Sequence, residues 1–109
     1  MAMTFEELLQ EVKKVKCQEM RTQKANYFEI VVAKANLAPL AFVLHSYFGK
    51  PLKPEGDQPS KEASQCAKPY GGIRSNQTLY YRKNEKGAEL ALLWPWGSGT
   101  AVTVKIIQE

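Results

Sequence analysis

The chain has 109 residues, 44% of them hydrophobic and 24% charged, which describes one ordinary globular domain and excludes global disorder. Fifteen Lys and Arg against eleven Asp and Glu give a formal charge of +4, too small an excess for a dedicated duplex-DNA binder, though it permits an acidic partner. Glu6, Glu7 and Glu11 stand where a secretory signal needs cations and a long apolar run, and the apolar stretch 37–48 is too short for a membrane span. From these features a cytoplasmic protein without membrane contact is expected, with Cys17 and Cys66 as free thiols.

Thr4 to about Glu19 reads as an amphipathic helix. Thr4 and Glu7 have the spacing of a capping box, and Phe5, Leu8, Leu9, Val12 and Val15 form one stripe. Met20 reads as a core plug, and 21–26 as a polar connection. Tyr27 to Ala35 follows as a strand. Its consecutive Ile30, Val31, Val32 and Ala33 predict a central position buried on both faces. Asn36 is placed to cap a second helix over 37–48, with Gly49 and Pro51 ending it.

Residues 50–72 hold Pro51, Pro54, Pro59 and Pro69 with few apolar groups, and read as a long, partly mobile loop. The last third is a three-stranded meander. Residues 73–83, 88–94 and 100–107 are joined by Asn84-Glu85-Lys86-Gly87 and by Pro95-Trp96-Gly97-Ser98-Gly99. Leu90, Leu92 and Trp94 share one side of their strand, as do Val102, Val104 and Ile106 of theirs. Leu92 and Val104 are expected on the same side of the sheet, against the helices. The order α-β-α-β-β-β predicts an α+β two-layer sandwich: a four-stranded, mostly antiparallel sheet with two helices on one face.

Chemistry-bearing residues are sparse. His45 is the only histidine, and Cys17, His45 and Cys66 have no metal-ligand spacing, so neither a metal nor a cofactor is expected and no catalytic residue is assigned. Glu29 and Glu89 alternate with apolar neighbours as solvent-facing strand residues do. Gly97-Ser98-Gly99-Thr100 leads into a strand, so it reads as a hairpin turn and not a phosphate cradle.

Two patches remain. Arg74, Asn76, Thr78, Tyr80 and Arg82 fall at period two, a face on which Tyr80 would stack a base and arginines hold phosphate, with Thr103 and Lys105 extending it. Trp96, in the turn, is either a cover for the core or an anchor for a partner. The sequence therefore points to a small non-enzymatic binding module. Its contacts would be Trp96, Tyr70, Arg74, Tyr80 and Arg82, beside the 50–72 loop. The partner would be another protein, or a second copy joined through an edge strand at 100–107. Single-stranded nucleic acid on the sheet is the alternative, and a small-molecule sensor or enzyme with 50–72 as lid is the third reading.

Overall fold

The computed structural model describes residues 4–84 and 87–109, so the centre of the turn after Asn84 lies outside the described residues. Among these the chain forms three α-helices, α1 (Phe5–Lys13), α2 (Leu37–Phe48) and α3 (Lys61–Ala67), and five strands. The strands are β1 (Glu19–Gln23), β2 (Tyr27–Ala33), β3 (Thr78–Asn84), β4 (Gly87–Pro95) and β5 (Ala101–Gln108). They make one antiparallel sheet in the order β1-β2-β5-β4-β3. The α+β class stands, with one more strand and one more helix than the sequence suggests, and β5, expected at an edge, lies between β2 and β4 with no free edge to offer a second copy.

The capping box forms as read: the Glu7 amide donates to Thr4 Oγ1 and the Thr4 amide to the Glu7 carboxylate. The helix stops at Lys13, because the next amides bond three residues back, to Glu11 and Val12, and tighten the last turn. Chain that reads as the helix end becomes the lead into β1, with Val15 and Cys17 still packed on the core. In α2, Asn36 makes no side-chain cap, and a 3₁₀ turn over Lys34–Asn36 leads in instead.

The sheet is covered on both faces. On the first, Phe28, Ile30 and Val32 of β2, Tyr80 of β3, Ala91 and Leu93 of β4, and Val102, Val104 and Ile106 of β5 pack with α1 and α2. On the second, Leu79, Leu90, Leu92 and Ile107 pack with Ala63 and Ala67 of α3, and with Leu52, Tyr70, Ile73 and Trp94. Leu92 and Val104 thus lie on opposite faces. The β4–β5 register pairs Leu92 with Lys105 and Leu93 with Val104, one residue away from the expected alignment. Continuous apolar runs such as Leu90-Ala91-Leu92-Leu93 leave period two with no preferred inner face.

Segment 50–72 is part of the fold. Ser60 caps α3 by accepting from the Ala63 amide, and Ala63 and Ala67, one turn apart, are wholly buried against the sheet. Lys53 exchanges both backbone hydrogen bonds with Leu79 on the outer edge of β3. Its buried ammonium donates to the carbonyls of Ser75 and Gln77, each at 2.6 Å, and burial lowers its pKa. Both carbonyls are satisfied and that edge is partly closed.

Candidate functional site

An exposed indole and several charged side chains gather on the second face, at the end that α3 leaves open. Strand register builds the floor. Trp94, Thr103, Val31 and Glu19 lie in one row across β4, β5, β2 and β1, and Leu92, Lys105 and Glu29 in the next.

Trp96 overhangs the first row. The β4–β5 hairpin closes when the Trp96 amide donates to the Ala101 carbonyl, and Gly99, at φ +75°, donates back to Trp96. This is the hairpin turn expected of the glycines. The indole Nε1 of Trp96 donates to Thr103 Oγ1 at 2.9 Å, so the ring is held in place although it is 40% exposed. The Arg21 guanidinium lies 5.9 Å from the ring centroid. Arg21 also donates to Glu19 at 2.7 Å and reaches Glu29 at 3.5 Å, and its pKa is raised, chiefly by the hydrogen bond to Glu19. Glu29 accepts a second bond from the Tyr27 hydroxyl at 2.7 Å, so it is engaged and not simply solvated. Burial first, then that bond, pushes the Tyr27 pKa up to about 12.

Lys105 marks the boundary with the closed half. Its ammonium sits 3.8 Å from the Trp94 ring centroid and donates to the Tyr70 carbonyl at 3.2 Å, and burial lowers its pKa. Against the same ring lies Gly71, where a Cβ would come within 2.4 Å of the Trp94 indole. The Trp94 indole nitrogen is buried without a hydrogen-bond partner among the described residues.

The other residues expected at a binding surface are not brought together with Trp96. Tyr80 is buried at 6% exposure on the first face, its ring 5.8 Å from Phe48, and is not available to stack on a base. Arg82 lies 4.8 Å from the Tyr47 ring centroid and donates to the Tyr47 carbonyl, closing α2 onto β3. Arg74 is exposed in the turn before β3, not on a strand face. With Tyr80 buried and Arg74 and Asn76 ahead of β3, the five residues form no continuous surface, and Thr103 and Lys105 lie on the opposite side of the sheet. Tyr70 borders the open end through its carbonyl, while its hydroxyl donates to Glu109. Met20 is 44% exposed and is no core plug.

Glu89, expected in solvent, is 2% exposed. Its carboxylate accepts from the Tyr47 hydroxyl at 2.5 Å and from Gln108 Nε2 at 2.9 Å. Burial first, then Glu89, raises the Tyr47 pKa. His45 is exposed on α2. Cys17 packs on the first face and Cys66 on the second, both free, with the sheet between them. Among the described residues no three His, Cys, Asp or Glu side chains gather as a metal site. A cleft of about 670 Å³ is lined by Phe5, Leu9, Gln10, Lys13, Lys24 and Gln108 among others, with no lining residue from segment 50–72.

Glu19 and Arg21 are not marked by the sequence because β1 is exposed on both sides and shows no apolar alternation, while Glu29 of β2 reads there only as a solvated residue. The available signal was the spacing of Glu19 and Arg21 just ahead of a short turn into β2. No protein-family model, curated protein or solved structure matches this chain, so its function rests on the geometry alone.

Proposed function

We propose that this protein is a small binding domain that docks another protein chain on the open end of the second sheet face. The observation that carries the reading is Trp96: a large aromatic ring, 40% exposed, fixed by its bond to Thr103. Binding hot spots are enriched in Trp, Tyr and Arg, and an anchor already held in its bound orientation loses little entropy on docking. Glu19, Arg21 and Glu29 supply a polar rim around it, the usual anatomy of a protein contact. Two free thiols suit a reducing compartment such as the cytoplasm. No helix among the described residues is long and apolar enough to cross a membrane.

The test is retention on immobilised protein. Wild type should hold a protein, from cell extract or as its own untagged copy, and Trp96→Ala should lose at least about 2 kcal/mol of that affinity. Equal retention by both, with unchanged circular dichroism, would overturn the reading.

A further inference from the structure

The outer strand beside Trp96 has a charge pattern that reads the same from a second copy. Among the described residues β1 is the last strand of the sheet and pairs only with β2. The opposite edge is partly occupied, since Lys53 already pairs with Leu79 there. Glu19, Met20 and Arg21 are all exposed, and the Glu19 and Arg21 side chains meet each other on the second face. We propose that β1 is the docking edge for a second copy of this chain, in an antiparallel two-fold pairing centred on Met20. This rests on the reading of the Trp96–Arg21 surface as a docking face, and names its occupant.

The register follows from charge. Centred on Met20, Glu19 of each copy lies opposite Arg21 of the other, and the two exposed Met20 side chains meet on the axis. Centred one residue later, Arg21 would face its own copy; one residue earlier, Glu19 would. Both place like charges directly opposite, which is destabilising. The pairing also brings together two Glu19, two Arg21 and the two Trp96 rings that the arginines touch, a symmetric cluster of alternating sign. The ladder irregularity between Met20 and Thr22 keeps the paired stretch short, so the dimer is weak and concentration-dependent.

Sedimentation velocity over a concentration series tests this with two charge reversals. Wild type should move from monomer to dimer between about 10 µM and 1 mM, the range of a small interface. Glu19→Arg and Arg21→Glu should each weaken dimerisation at least about tenfold, by setting like charges opposite. Mixed in equal amounts the two variants should dimerise again. In the mixed pair the introduced arginine of one variant faces the introduced glutamate of the other, and the retained Arg21 faces the retained Glu19. Misfolded variants would not recover on mixing. A wild type that stays monomeric, single variants that dimerise as well as wild type, or a mixture that stays monomeric would each overturn the proposal. In any of these cases, Trp96-dependent retention of a different protein would still support the broader docking role.

Discussion

Glu89 shows how far a single side chain departs from the pattern around it. Alternation marks it as solvated, yet it is buried between a phenol and an amide that its own position cannot announce: Tyr47 is 42 residues away. Removing the phenol donor by Tyr47→Phe should cost about 1–3 kcal/mol in urea unfolding, because the buried carboxylate keeps its desolvation and loses a partner. Tyr27 and Tyr70 have pKa values pushed up to about 12, and Tyr47 is raised further, in each case mainly by burial. A raised pKa means the folded state holds the phenolic proton more tightly than the unfolded chain. For Tyr27 and Tyr70 that stability is complete below about pH 10 and is lost as pH climbs through 12. Lys53 and Lys105, lowered by burial, work in the opposite sense as they neutralise. Unfolding measured from pH 9 to 12 should show a net decline that Tyr27→Phe and Tyr70→Phe together reduce; an unchanged decline would show that these two phenols do not cause it. Gly71 gives a third test at this scale. It has φ +109° and lies against Trp94, whereas Gly72 has φ +89° and open space beside it. Gly72→Ala should cost about 1–3 kcal/mol from backbone strain alone, and Gly71→Ala clearly more.

Among the elements, those built on strong local patterns were legible and those built on pairing were not. The capping box and stripe of α1, the apolar α2 and the three meander strands follow from residue order, although the first of those strands begins at Thr78 and not at 73. β1 does not, since an edge strand exposed on both sides has no hydrophobic period and exists through its ladder to β2. α3 is hidden for a different reason. Its buried face is Ala63 and Ala67, too small to read as an apolar stripe, although Ser60 is a good cap. Small residues let this helix lie close to the sheet, so Ala63→Leu should overpack the contact and cost about 1–3 kcal/mol. A neutral result by thermal unfolding would mean that α3 sits loosely. The sides of β4 and β5 were half legible. Each strand's own alternation is correct, but the register between them is a tertiary fact, and it sends Leu92 and Val104 to opposite faces.

At the scale of the whole molecule, the same register divides the surface. The first face is closed by α1 and α2, and it takes Tyr80 and Arg82 with it. The second is half closed by segment 50–72 and open near Trp96. Replacing 50–72 with a short Gly/Ser bridge therefore should not leave an intact domain. It strips the cover from Leu79, Leu90, Leu92 and Ile107, and the loss should exceed about 5 kcal/mol, the whole margin of many small proteins. Of the candidate contacts legible in the sequence, Trp96 remains exposed because a turn residue cannot easily be buried, whereas the period-two basic face dissolved once its tyrosine entered the core. The other large exposed aromatic side chain is Phe42, 74% exposed on α2 on the other side of the molecule. The most direct test of the docking face is thus side-by-side retention on immobilised Trp96→Ala and Phe42→Ala, with folding matched by circular dichroism. The expected result is that Trp96→Ala releases the bound chain and Phe42→Ala keeps it; the reverse would place the docking surface on α2 and contradict the account.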